Sequence, residues 1–345
     1  MVSLTGAQVP LTGAQYDLSA GDYRVTVTEL GAGLRQLEHR GQPVIVGYEP
    51  DVLPPGAAGQ LLCPWPNRVD GGHYAIDGRH YQLDLSEPAN ANAIHGLTRW
   101  LSWTPGPASA APGGEEITLR LVLLGHQGYP FALELDASYR LDADHGLRVS
   151  VSARNLGSVA APYGTGSHPY LTTGAAEVDE CDLGLPAGLW QPAGERGIPI
   201  GGPEDVTGTE FDFRTPRPIG DTQLDHALTG LARGDDGRVW ARLSSAGQVT
   251  RTEAARTEAA RTDPARTDPA RTEAARTEVA LWAGPGYEWL QVFTGDTLGP
   301  SHRRKAVAIE PMTCPPNAFN SGVDLLMLEP GDSVTHSWGI EVTSA

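Results

Sequence analysis

From Phe131 to Ala153 apolar side chains fall on every second residue, and this alternation restricts the fold more than any other stretch. Phe131, Leu133, Leu135, Ala137, Tyr139 and Leu141 hold period two. Asp142-Ala143-Asp144-His145-Gly146 turns the chain, and Leu147, Val149, Val151 and Ala153 resume the same period. Successive side chains of a strand point to opposite faces, so the segment reads as a hairpin with one apolar face. On a helix the same residues would scatter around the circumference. The alternation recurs at Tyr23, Val25 and Val27, and again at Ile117, Leu119, Leu121 and Leu123. It returns at Val334, His336, Trp338, Ile340 and Val342, after the turn Glu329-Pro330-Gly331-Asp332. Asp77-Gly78 separates Tyr74 and Ile76 from Tyr81 and Leu83, a strong hairpin signal. Val44-Ile45-Val46 follows a Gly41-Gln42-Pro43 turn and reads as another strand. No segment of comparable length carries a helical stripe. These patterns predict an all-β fold, a large antiparallel β-sandwich, as one domain spanning residues 1–345.

Composition agrees and narrows the partners. The 42 glycines and 28 prolines suit many short strands joined by turns. A formal charge of −17 argues against a nucleic-acid or anionic-membrane partner. No apolar run is long enough to span a bilayer, and no basic-then-apolar leader opens the sequence. Cys63, Cys181 and Cys314 are odd in number and widely spaced, which reads as reduced thiols in a cytoplasmic protein.

Two segments stand outside this pattern. Leu4-Thr5-Gly6-Ala7-Gln8 recurs at Leu11-Thr12-Gly13-Ala14-Gln15 and reads as slack terminal sequence. Arg251 to Ala280 is a tandem pentapeptide, Arg-Thr-Glu-Ala-Ala, then Arg-Thr-Asp-Pro-Ala, then the first form again. A five-residue period matches neither a helix face nor a strand face, so it is expected to be a solvated insertion. It interrupts what would otherwise be a hairpin between Val239-Trp240-Ala241-Arg242-Leu243 and Val279-Ala280-Leu281-Trp282.

Polar residues gather at five places. In Ala306-Val307-Ala308-Ile309-Glu310-Pro311 an apolar run delivers one acid and is expected to end at the proline. Val307 and Ile309 share one side, Ala308 and Glu310 the other. Pro162-Tyr163-Gly164-Thr165-Gly166-Ser167-His168-Pro169 carries a second pre-proline group, and its glycines allow a close approach. In Asn92-Ala93-Ile94-His95-Gly96-Leu97-Thr98-Arg99-Trp100, His95 stands beside another such glycine. Pro64-Trp65-Pro66-Asn67-Arg68 offers an amide and a guanidinium for hydroxyl groups, on an expected extended segment, with an aromatic ring for a sugar face. Leu224-Asp225-His226 adds an acid that could equally cap a helix or a turn. No nucleophile elbow, phosphate loop, dinucleotide fingerprint or cysteine-pair zinc motif is present, and no two histidines stand at a short ligand spacing.

Taken together these motifs resemble the aldose 1-epimerase (galactose mutarotase) family. The resemblance runs from about Tyr23 to the last strand, the pentapeptide insertion excepted. It rests on Asn67-Arg68-Val69 with the Tyr-x-Ile-Asp-Gly hairpin, on Ile94-His95-Gly96, and on Ile309-Glu310-Pro311 with Asn317-Ala318-Phe319-Asn320. Leu328-Glu329-Pro330-Gly331-Asp332 also looks like the family's ending. The resemblance implies a galactose mutarotase-like supersandwich that interconverts the α and β anomers of a free hexose such as galactose or glucose, without a cofactor or metal. It implies Glu310 as general base and His168 as general acid. His95, Asp225, Arg68 and Asn67 would bind the sugar. A monomer or homodimer is expected. The Ser-His-Pro-Tyr-Leu run differs from the His-Ser-Tyr-Phe type of the best-known members, which bears on the placement of His168, and the Arg-Val-Asp segment and Pro-Trp-Pro differ too, which points to a sugar other than galactose. A hexose 6-phosphate epimerase would need a further basic cluster, for which Arg68 and Arg99 are the candidates. A sugar-binding protein without catalysis would have no need of both Glu310 and His168.

Overall fold

The computed structural model describes residues 9–175, 177–245 and 277–344. Alternation builds the largest sheet. In the Leu133–Asp142 strand, Leu133, Leu135, Ala137, Tyr139 and Leu141 are fully buried, while their neighbours are half-buried. It pairs antiparallel on one side with Gly114–Leu123 and on the other with Gly146–Asn155. Gly146–Asn155 pairs in turn with the final strand, Ser333–Ser344. That strand continues the sheet through Thr277–Ala283 and Val239–Ser245, so the run of strands named here is antiparallel throughout.

A second antiparallel sheet is shorter-stranded and carries the polar motifs. Its middle runs from Asp225–Leu231 to Trp289–Phe293, Val307–Met312, Gly166–Ser167 and Leu61–Leu62. One continuous core joins the two sheets, with Leu135, Val149, Leu281 and Ile340 from the first and Leu228, Leu290, Val292 and Ile309 from the second. Burying a face of each sheet in one core is what makes a sandwich stable. The described residues include one four-residue α-helix, Ala318–Ser321, and no helix long and apolar enough to cross a membrane. Cys63, Cys181 and Cys314 are all buried free thiols.

The hairpin at Asp77-Gly78 forms as expected, with both turn residues at positive φ, 49° and 74°. Several other expectations need correction. Val44-Ile45-Val46 makes no continuous strand. Gln42–Pro43 pairs instead, and Ile45 forms a single bridge to Leu171. The second copy of the terminal duplication is not slack. Thr12 is fully buried and fastened through its backbone N–H and Oγ1 to the Pro50 carbonyl, and Gln15 opens a strand. The first copy lies outside the described residues. So does most of the pentapeptide repeat, but its last residues belong to the sheet. Glu278–Ala280 pair with Arg242–Ser244, so the interrupted hairpin closes at Ser244 opposite Glu278.

Candidate active site

The site forms at a break in the second sheet. Gly166 lies opposite Met312 and Tyr170 opposite Ala308, a register that sets His168 opposite Glu310. Pro169 and Pro311 have no N–H to give the ladder, and the strand is interrupted between Ser167 and Tyr170. The His168 backbone turns the other way, donating to the Gln60 carbonyl and accepting from the Gly59 N–H. Opposed residues that do not exchange backbone hydrogen bonds bring their side chains closest. His168 Nε2 and Glu310 Oε1 are 3.2 Å apart.

Contrary to expectation, Val307–Met312 does not stop before Pro311. Pro311 stays in the strand opposite Leu290, and all six residues are buried. Glu310 is only 2% exposed, although it faces a cleft. Gln291 lies opposite Glu310, and Asp225 is its diagonal neighbour on the next strand, so the three share a face. Gln291 donates from Nε2 to Asp225 Oδ1 at 2.7 Å. Asp225 opens its strand and is exposed to the cleft, so it caps no helix.

Loops complete the wall. Asn67 and His95 both adopt left-handed backbone, φ 54° and 63°, so the Pro64–Arg68 segment is not extended to its end. The His95 N–H donates to the Asn67 carbonyl at 2.9 Å, which ties the two loops together. Gly96 is required there, because a Cβ would lie 2.1 Å from the Cys63 carbonyl oxygen. Asn67 Oδ1 accepts from the Arg68 N–H at 2.9 Å. Arg68 is gripped by Glu87 through two hydrogen bonds of 2.9 Å, and Asn90 and Asn92 donate to the same carboxylate. Trp65, expected beside a sugar, instead packs in the core against Phe319 and Tyr129. The aromatic groups that do line the cleft are Tyr170, Phe293 and Trp100.

Glu310, His168, His95, Asp225, Arg68 and Asn67 all line this one cleft of about 450 Å³, within the range of small-molecule sites. Burial raises Glu310 well above the ordinary carboxylate value, and the charge of Asp225 adds to the effect while Arg68 opposes it. Burial also lowers His168, reinforced by the charge of Arg99. His95 is lowered well below the ordinary value, again by burial first and then by the nearby histidine and arginines. Both members of the His168–Glu310 pair are therefore pushed towards their neutral forms. Glu310 Oε2, Gln291 Oε1 and His95 Nδ1 are buried without a hydrogen-bond partner among the described residues. Unsatisfied polar atoms at a cleft are available to a polyhydroxylated ligand.

Comparison with known proteins agrees with this arrangement. The family model described as aldose 1-epimerase matches residues 14–341. The chain belongs to the aldose 1-epimerase family. An uncharacterized Escherichia coli protein, YihR, is 34% identical over 309 residues, covering 90% of this chain and 87% of that protein. The human galactose mutarotase is 28% identical over 179 residues, half of each chain. Among solved structures, the galactose 1-epimerase of Lactobacillus acidophilus superposes with a TM-score of 0.76 at 20% identity, over 96% of this chain and 94% of that one. A galactose mutarotase-like protein from Clostridium acetobutylicum gives a TM-score of 0.78 at 16% identity, covering 98% of both chains. At these identities the superpositions show the fold, a galactose mutarotase-like β-sandwich.

The sequence reading of this aldose 1-epimerase family member missed Gln291 and Glu87. Gln291 had a signal, since it is the one polar residue in Trp289-Leu290-Gln291-Val292-Phe293 and must either be satisfied or face a cleft. Glu87 had none, because an acid before Pro88 in a turn-rich stretch is ordinary on a surface.

Proposed function

We propose that this chain catalyses aldose 1-epimerization, opening and reclosing a sugar ring to exchange its α and β anomers. The observation that carries the reading is the buried His168–Glu310 contact at 3.2 Å, in a cleft where Glu310 Oε2, Gln291 Oε1 and His95 Nδ1 have no partner among the described residues. Ring opening removes a proton from the anomeric hydroxyl and delivers one to the ring oxygen. Glu310 takes the first proton as general base and His168 gives the second as general acid. The carbonyl forms as the bond from the anomeric carbon to the ring oxygen breaks. The open aldehyde turns about one bond, and reclosure reverses both transfers.

Burial suits this cycle. A carboxylate with an imidazolium holds the same number of protons as a carboxylic acid with a neutral imidazole. Ring opening converts the first pair into the second, which is the pair that burial favours. The charged pair that starts ring opening therefore has to form when the sugar binds, and ring opening returns the two groups to their resting neutral forms. Asp225, held by Gln291, accepts from sugar hydroxyls, and Arg68, held by Glu87, donates to them. Asn67 and His95 complete the binding wall, with His95 neutral and able to donate or accept. The steps call on side-chain acid–base chemistry alone.

The test is polarimetry of freshly dissolved α-D-glucose and α-D-galactose, with wild type and with Glu310→Gln. Wild-type acceleration that the variant lacks supports the reading. Equal acceleration by both proteins rejects Glu310 as the base. Interconversion of the anomers, followed by NMR at their separate anomeric-proton signals, extends the assay to sugars with small optical changes.

A further inference from the structure

Residues 193–199 make a short hairpin that lines no part of the cleft and yet packs directly on Arg68. Ala193 bridges to Pro199, and the Gly194 N–H donates to the Ile198 carbonyl at 2.9 Å. Glu195, Arg196 and Gly197 form the tip. Gly197 takes the left-handed conformation, φ 70°, that such a three-residue loop requires. The hairpin leaves the strand Ala187–Trp190, which pairs with the strand of Asp225, and the Gln191 N–H continues that pairing to the Ala227 carbonyl at 2.8 Å. Its tip reaches the loop behind Arg68. There Arg196 donates from Nε to the Asn90 carbonyl at 2.7 Å, and from Nη2 to the Ala91 carbonyl and to Asn92 Oδ1 at 3.0 and 2.9 Å. Its Nη1 pairs with Asp70 at 2.8 Å. Asn92 Nδ2 donates both to the Arg196 carbonyl and to Glu87, each at 2.9 Å. The tip is thus fastened to the same loop that holds the partner of Arg68.

Gly197 makes the contact itself. A Cβ there would lie 2.5 Å from Arg68 Nη1, 2.7 Å from Cζ and 2.9 Å from Nε. Cζ is no further away than Nε, which puts the glycine over the flat face of the guanidinium rather than at its edge. Glu87 takes Nε and Nη2 along one edge. One edge and one face of Arg68 are therefore fixed, and Nη1 is the donor left for a ligand in the cleft.

We propose that this hairpin is a clamp that sets the pose of Arg68, with Arg196 as its latch and Gly197 as its bearing surface. Both are positioning residues for sugar binding, since neither reaches the cleft. An arginine side chain has much rotamer freedom to lose, and holding it in advance removes that cost from binding. Because the hairpin springs from the strand beside Asp225, it also sets how far apart the two charged groups assigned to sugar hydroxyls stand. The inference rests on the epimerase reading for what Arg68 does, but not for how it is held.

The experiment compares Gly197→Ala with Gly201→Ala, following anomer interconversion of D-glucose and D-galactose by NMR with Tm beside it. Gly201 shares the left-handed backbone, φ 68°, but nothing lies within 4 Å of its Cβ position, so it controls for backbone strain. The expected result is a KM ~10-fold higher in Gly197→Ala, with kcat within ~3-fold and KM unchanged in Gly201→Ala. In an Arg68→Lys background Gly197→Ala adds little, because its effect passes through Arg68. Arg196→Gln raises KM in the same sense and carries the test where Gly197→Ala does not fold. Arg196→Lys keeps the ion pair with Asp70 but not the forked bonds, and recovers part of the loss. An unchanged KM in Gly197→Ala, an equal rise in Gly201→Ala, or a full further rise in the Arg68→Lys background overturns the inference. The Arg68 Nε–H signal in a proton–nitrogen correlation spectrum, identified by its loss in Arg68→Lys, reads the clamp without any sugar. It is expected to exchange with solvent ~10-fold faster in Gly197→Ala and Arg196→Gln than in wild type and Gly201→Ala. Unchanged exchange rejects the clamp whatever the catalysis does. Faster exchange in those two variants, with no anomer interconversion by wild type, sinks the epimerase reading and keeps the clamp.

Discussion

His168 and Glu310 stand opposite each other across a broken β-ladder, with Nε2 and Oε1 3.2 Å apart and both side chains almost fully buried. Two prolines, each directly after one of the pair, leave that gap, so the same residues that constrain the backbone at His168 and Glu310 also free the space between them. In the proposed mechanism a sugar has to part this contact, with its anomeric hydroxyl at Glu310 and its ring oxygen at His168.

Replacing Glu310 by Gln keeps the shape and removes the proton acceptor. The expected loss in kcat is ~10²- to 10⁴-fold, the usual weight of a positioned general base. Sugar affinity, measured by calorimetry, should change by no more than a few fold, because the amide still makes hydrogen bonds. Normal turnover in this variant would remove Glu310 from the mechanism.

His168→Gln should cost a similar factor, and the double variant Glu310→Gln/His168→Gln about as much as either alone. In the proposed mechanism both groups serve one ring-opening step, and parts of a unit are strongly non-additive. Independent, multiplying losses in the double-mutant cycle would show that the two residues do not act together.

The buried carboxyl also makes a statement about stability. Glu310 has its folded-state pKa raised above its ordinary 4.5, so the folded chain holds this proton more tightly than the unfolded one. Its stabilising contribution is full below pH 4.5 and is lost as pH rises towards the folded value. His168 is shifted the other way and weakens the fold as pH falls below its ordinary 6.5, but it does so in wild type and in Glu310→Gln alike. The expected result is that the Tm of Glu310→Gln gains on wild type between pH 4.5 and pH 7.5. A Tm difference that moves the opposite way would mean that the fold holds Glu310 ionised.

How far the sequence reached can be read from particular residues. The hairpin from Leu133 to Asn155 was legible because one face is buried and the other is not, and period two records that asymmetry. Val307–Met312 was only partly legible, since a strand buried on both faces carries no alternation to mark its end, and Pro311 looked like a stop. The face-sharing of His168, Glu310, Gln291 and Asp225 depends on pairing between strands far apart in the chain, which no local pattern encodes. Their chemistry was visible one motif at a time; their distances were not. Trp65 misled because an aromatic ring between prolines reads alike whether it faces a sugar or Phe319 and Tyr129.

The Arg68–Glu87 pair offers a test of positioning. Its two short hydrogen bonds, with Asn90 and Asn92 behind them, hold the guanidinium against the cleft wall. Glu87→Gln should cost about 2 kcal/mol of stability, the scale for a hydrogen bond to a charged group. It should raise KM several-fold with a smaller change in kcat, because the role proposed for Arg68 is to bind sugar without touching the transferred protons. A fall in kcat alone would instead place Arg68 at the reacting centre.

The junction of the pentapeptide repeat provides the last test. Val239–Ser245 and Thr277–Ala283 are already in register up to Ser244 opposite Glu278, in the sheet that does not carry the cleft. Deleting Arg251 to Ala275 leaves residues 246–250 with Arg276 as the connection, a length that antiparallel neighbours tolerate. The cost of closing a loop changes slowly with its length, so the shortened chain should keep its stability within about 1 kcal/mol. Chemical denaturation and anomer exchange, measured side by side, should therefore match the full chain. Insoluble protein, or an intact fold with lost exchange, would show that the repeat does more than connect two strands.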